Sequence, residues 1–154
     1  MGQFVTIELA EIKQFERFVD RVGSAYRNSR VIKDELEVIA NDMRNYIIDG
    51  MTNTRKRSTG YKRGTKTHYP SLPGQMPARD SGNLIEFLGY ESFANKIEVG
   101  VRAGTGTGGG KSYAEFLEEG TGKMEPRPFM EPTVKHFTPQ IQTRLWKKIK
   151  DVTR

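Results

Sequence analysis

Gly110, Lys111 and Ser112 close the run AGTGTGGGKS. Glycine, lysine and a hydroxyl in that order are what a phosphate loop uses, with backbone N–H groups cradling the phosphates and the lysine reaching their oxygens. The full motif, G-x-x-x-x-G-K-[ST], needs a glycine at position 105, and that residue is Thr105. The flanks disagree as well. The preceding segment alternates like half of a hairpin, the following one breaks at Gly120, and Asp49 in YIIDG belongs to a helical stripe instead of ending a strand. A mobile glycine connection over 104–110, indifferent to nucleotide, is the better account. Glu115, Glu118 and Glu119 could in principle do acid–base work, but that needs carboxylates held apart in a pocket with split pKa values. Their spacing puts them on one side of a short helix whose other side carries Tyr113, Phe116 and Leu117, so they read as a solvated or interface-facing acidic surface. The two histidines, His68 and His136, have no metal-ligand spacing, and there are no cysteines. No enzyme, cofactor or metal is expected.

The cations are more informative. Residues 53–80 hold seven basic side chains (Arg55, Lys56, Arg57, Lys62, Arg63, Lys66 and Arg79) against the single acid Asp80. The rest of the chain has eighteen of each sign, so the whole net charge of +6 sits in this one segment. Such a concentration is the electrostatic footprint of a polyanion-binding element, nucleic acid being the usual partner. A merely solvated loop is the plain alternative. The segment has no apolar periodicity and is rich in Gly, Pro, Ser and Thr. It reads as an extended loop or a long hairpin arm that orders only on a partner.

The 154 residues suit one domain, 1–154, with 35% hydrophobic and 29% charged residues giving a modest core and a large surface. Nothing is apolar enough to span a bilayer, and the N-terminus lacks a secretory leader pattern, so synthesis in a cytoplasm is expected. FVTIEL alternates and predicts a first strand. Ile12, Phe15, Val19 and Val22 predict a helix ended by Gly23. Ile32, Leu36, Ile39, Met43 and Tyr46 or Ile47 predict a longer one, capped at Asn28 or Ser29 and ending near Gly50. Ser81 could cap a turn or helix start. IEFLGYESF and KIEVGVRA then suggest an antiparallel hairpin turning at Ala94-Asn95. A short helix over SYAEFLEE follows. Val134, Phe137, Ile141, Leu145 and Ile149 mark a last helix that Pro139 should kink or divide, with Thr138 placed to cap the restart. The fold class is α+β: a small, mainly antiparallel sheet packed by two N-terminal helices and a proline-interrupted C-terminal helix, with the long basic arm at about 53–80.

In EPRPFMEP, Pro126 and Pro128 keep Glu125 and Arg127 out of the helical region, so the segment is extended and presents Phe129 at the start of the last helix. Within one chain, Phe129 would lock that helix onto the sheet. Between chains it would anchor an interface, with Arg127 pairing an acidic face such as Glu118 and Glu119. Tyr113, Phe116, Glu118, Glu119, Arg127, Pro128 and Phe129 are therefore the subunit-interface candidates.

The order of these features resembles the neck, or tail-component, family of long-tailed bacteriophages, named after the tenth gene product of a lambdoid coliphage. Its pattern of proline-glycine-x-x-proline falls on Pro73, Gly74 and Pro77, and its serine-glycine-asparagine-leucine on Ser81, Gly82, Asn83 and Leu84. Tyr113, Ala114, Glu118, Gly120 and Thr121 match the next element, and Arg127, Pro128 and Phe129 the last. The match covers roughly residues 73–135. IEFL after the Asn-Leu departs from it, since the family often has a basic pair and a serine-isoleucine there. The resemblance implies a structural virion protein of the head–tail junction, assembled in the host cytoplasm into a ring of six or, alternatively, twelve copies. Such a ring lies between the head-closure (connector) proteins and the tail terminator, around double-stranded DNA bound without sequence specificity and with no membrane partner. Arg55, Lys56, Arg57, Lys62, Arg63 and Lys66 become the candidates for lining the channel. The competing expectation is an independent nonspecific double-stranded DNA-binding module.

Overall fold

A computed structural model describes residues 4–6, 30–80, 82–93, 96–102 and 113–152. The elements are β1 (Phe4–Thr6), α1 (Arg30–Asn53), β2 (Tyr61–Arg63), β3 (Lys66–His68), α2 (Asn83–Phe87), β4 (Leu88–Ser92), β5 (Ile97–Val101), α3 (Tyr113–Glu119) and α4 (Met130–Val152). The class is α+β, as the sequence predicts. The expected helix over 10–22, the caps at Asn28, Ser29 and Ser81, the Ala94-Asn95 turn and the glycine run 104–110 lie outside the described residues.

One antiparallel sheet has the order β1-β5-β4, and a second consists of β2 and β3 alone. In the larger sheet Val5 faces Val99, and Tyr90 faces the same residue from the other side. β5 is therefore central, and all five of its residues are buried, Glu98 and Gly100 included. Lys96 Nζ lies 2.7 Å from the Glu98 carboxylate and offsets the burial of that charge.

Helix α1 supplies both halves of the core. Ile39, Ala40 and Met43 pack with Val99 of β5 and with Phe137, Ile141, Leu145 and Ile149 of α4. A turn or two later, Ile47 and Met51 pack with Leu88, Val101, Leu117, Phe129 and Met130. The two helices are also clamped by charge. Arg144 donates to Glu35 at 2.8 Å and to Asp42 at 2.6 Å. Desolvation works against its charged form, but the hydrogen bonds to Asp42 and Glu35 outweigh it and hold the guanidinium pKa above its ordinary value.

Two expectations change here. The stretch Ile85–Phe87, read as the start of a strand, belongs to a short helix that begins at Asn83, where a turn or helix start was expected, and β4 begins only at Leu88. Pro139 lies inside one continuous helix. The proline removes one donor from the ladder, yet the helix is not divided. Thr138 does not cap a restart: its hydroxyl bonds back to the Val134 carbonyl at 2.7 Å. Burial of Phe137 and Ile141 on either side keeps the helix on the core through the missing bond.

Candidate nucleic-acid interface

The basic segment is an arm held at its base by α3 and the extended segment that follows it. The grip begins with α3, which buries Ala114 and Leu117 and closes where Gly120 N–H donates to the Phe116 carbonyl at 3.0 Å. Thr121 and Met124 exchange backbone bonds of 2.7 and 3.1 Å, turning the chain back. The prolines then hold the return path extended, and Arg127 N–H reaches the Leu117 carbonyl at 2.6 Å.

Glu118 does something the sequence did not announce. Its carboxylate accepts from the backbone N–H groups of Phe129 (2.9 Å), Met130 (3.1 Å) and Glu131 (2.9 Å). Those are the donors a helix start leaves without intrahelical partners, and a carboxylate there also meets the positive end of the helix dipole. A residue on α3 thus caps α4.

Arg127 and Phe129 are corrected as interface anchors. Phe129 is 1% exposed and belongs to the core of its own chain. Arg127 is 8% exposed and does not pair with Glu118 or Glu119. Its Nε donates to the Ser71 carbonyl and its Nη1 to the Glu125 carbonyl, each at 3.3 Å. The intrachain reading of EPRPFMEP holds, because the turn after α3 folds Phe129 back over Leu117. Pro128 is half-buried, as are Tyr113 and Phe116, while Glu119 is exposed.

The contact of Arg127 with Ser71 joins the clasp to the arm. Gly74 N–H donates to the Pro126 carbonyl at 2.9 Å, and Arg79 N–H to the Met51 carbonyl at the end of α1 at 3.0 Å. Above this base, Lys56 pairs with Ser71 as an antiparallel bridge and Arg57 N–H meets the Pro70 carbonyl at 2.7 Å. Then β2 and β3 pair as Tyr61 with His68, Lys62 with Thr67 and Arg63 with Lys66. The two-residue loop starts at Gly64 with φ +64°, while Thr65 has no positive φ; a type II′ hairpin turn requires glycine at that first position. Of the two forms expected for the segment, the structure has the hairpin arm: a ladder, a turn and a clasped base are all built within one chain.

Arg55, Lys56, Lys62 and Lys66 are exposed and Arg57 is half-buried; Arg63 holds its backbone register in β2. Among the described residues, no ion pair occupies Arg55, Lys56, Arg57, Lys62 or Lys66, in contrast to Lys96, Lys135, Arg144 and Lys148 on the body. The segment's one acid, Asp80, lies 2.9 Å from His68 Nδ1. Tyr61 sets its ring edge-on to His68 at 5.1 Å and is 54% exposed, and Tyr69 is 44% exposed.

An apolar recess of about 30 Å³ between α1, β5 and α4, lined by residues such as Met43, Val99 and Ile141, has room for about one water and no polar side chain to orient a substrate. Among the described residues, no group of three or more His, Asp or Glu could hold a metal ion. No described helix is long and apolar enough to cross a membrane.

Compared with known proteins, the chain matches no family model, no curated protein and no solved structure. The phage-neck resemblance thus rests on the motif residues alone.

Proposed function

We propose that the chain is a structural protein of the head–tail junction of a long-tailed bacteriophage. In this reading it forms a ring around the DNA channel, six copies by preference and twelve as the alternative, and joins the head connector to the tail terminator. The observation that carries the reading is the convergence at the arm's base. Gly74 from the proline-glycine element, Glu118 and Gly120 from the tyrosine-alanine element, and Arg127 and Phe129 from the arginine-proline-phenylalanine element meet in one clasp. Motifs far apart in the sequence thereby serve one task, presenting a hairpin that carries the net charge of the protein. That is the economy of a scaffold with a cationic projection rather than of an enzyme.

Closing a ring requires two different complementary patches on each subunit. With Arg127 and Phe129 used internally, the outer side of α3, with Phe116 and Glu119, is the remaining candidate from the clasp. The arm then faces the lumen, where Arg55, Lys56, Lys62 and Lys66 act on the phosphate backbone without reading sequence.

Negative-stain imaging with native mass measurement tests this directly. A closed ring with a central hole is expected. A monomer or dimer that binds duplex DNA at every concentration would overturn the ring and favour the independent nonspecific DNA-binding module.

A further inference from the structure

The arm exposes cations on both of its faces. Directly opposed residues in an antiparallel pair share a face, and neighbours along a strand alternate. Lys62 therefore stands with Thr67 on one face, and Lys66 stands with Tyr61 and His68 on the other. Among the described side chains neither face is covered: Tyr61, Lys62, Lys66 and Thr67 are exposed, and His68 is partly withdrawn beside Asp80. A ribbon that docks on a flat acidic protein surface uses one face and leaves the cations of the other without counter-charge. A ribbon with phosphates on both sides uses both.

The major groove of duplex DNA supplies that geometry. It is about 12 Å wide, admits a two-stranded β-ribbon, and is walled on each side by a phosphate backbone. Two strands spaced about 4.8 Å apart with side chains on both faces fit that width. We propose that the β2–β3 ribbon enters the major groove of double-stranded DNA tip first, with Lys62 and Lys66 reaching opposite phosphate walls and Tyr61 lying against one of them. The tip residues Gly64 and Thr65 carry no charge, and the contacts proposed for Lys62 and Lys66 are to phosphate, which carries no sequence information. This goes beyond the ring reading and does not need it, because one chain carries the whole ribbon.

The test is fluorescence anisotropy of a labelled random-sequence duplex titrated with the full chain across a salt series. A second duplex carries bulky substituents at pyrimidine C5, which project into the major groove. The unmodified duplex is expected to bind, with log affinity falling linearly in log salt. Lys62→Ser with Lys66→Ser should lower that slope by about 2, since each phosphate contact contributes close to one. The substituted duplex should bind at least tenfold more weakly, and circular dichroism should show the variant folded. Equal affinity for the two duplexes overturns groove entry. So does an unchanged salt slope in the folded double variant, or no binding by the native chain at low salt. A ring that binds no duplex removes this inference and leaves the joining role standing; a non-assembling chain that prefers the unmodified duplex does the reverse.

Discussion

The clasp and the arm are adjacent in space and opposite in construction. In the clasp, polar groups are consumed internally: Glu118 satisfies three backbone donors, Arg127 spans two carbonyls, and Phe129 is among the most buried side chains. In the arm, strands of three residues carry Lys62 and Lys66, exposed and with no ion-pair partner among the described residues. The residues that look most like a docking motif are thus spent on folding. Those free to meet a partner come from a segment whose composition looks unstructured. Motif density and availability for binding are separate properties, and here they run in opposite directions.

Breaking the clasp should give the largest effect. Phe129→Ala empties a fully enclosed site and should cost about 3–5 kcal/mol, a large share of a typical domain's stability. Urea denaturation should show the midpoint fall or the chain unfold outright. A folded, equally stable variant that fails only in assembly would return Phe129 to an interface role.

Glu118→Gln comes next, because it weakens three charge-assisted bonds at the α4 start without removing volume. It should cost about 1–2 kcal/mol in thermal melts. If Glu119→Gln costs as much, the loss is a general charge effect and the cap assignment fails.

The element types were legible where periodicity was strong. The stripes of α1 and α4 and the alternation of β5 follow from side-chain spacing, which the sequence shows directly. The clasp was not, because its determinants are separations the sequence does not mark: Glu118 meets Glu131 across thirteen positions and Arg127 meets Ser71 across fifty-six. Nothing local distinguishes Glu118 from Glu119, so both read as one acidic side. The burial of Glu98 was hidden for a related reason. Alternation along β5 places Glu98 on the face opposite Val99, but it does not mark what lies against that face. In the arm, the charge was plain and the ladder was not, since strands of three polar residues carry no hydrophobic signal.

Disturbing only the arm should be milder for the whole protein. A Cβ at Gly60 would sit 2.8 Å from the His68 carbonyl and 2.7 Å from Thr67 Cγ2, contacts in which a backbone atom must move. Gly60→Ala should therefore loosen the ladder by about 1–3 kcal/mol locally. Hydrogen exchange should speed up at residues 61–68, while the melting of the body changes little. Faster exchange in α1 or α4 as well would mean that arm and body open as one unit.

The smallest effect on stability should come from the largest change in charge. Replacing Arg55, Lys56, Arg57, Lys62, Arg63 and Lys66 together with serine takes the net charge from +6 to zero. None of the six is in either core cluster, and no described ion pair is lost with Arg55, Lys56, Arg57, Lys62 or Lys66. Surface changes of that kind usually stay within about 0.5 kcal/mol each, and relief of mutual repulsion offsets part of any loss. The denaturation midpoint should accordingly hold, while duplex binding is abolished. The functional readout then divides the two partners the arm could serve. If heads and tails join normally and the particles still retain their DNA, lumen-facing cations have no role. If joining of purified components fails with no DNA present, the arm is a protein-docking element and its cations meet acidic side chains of a neighbouring ring. If joining proceeds but DNA leaks, the arm acts on the phosphate backbone, and the clasp is the device that holds it there.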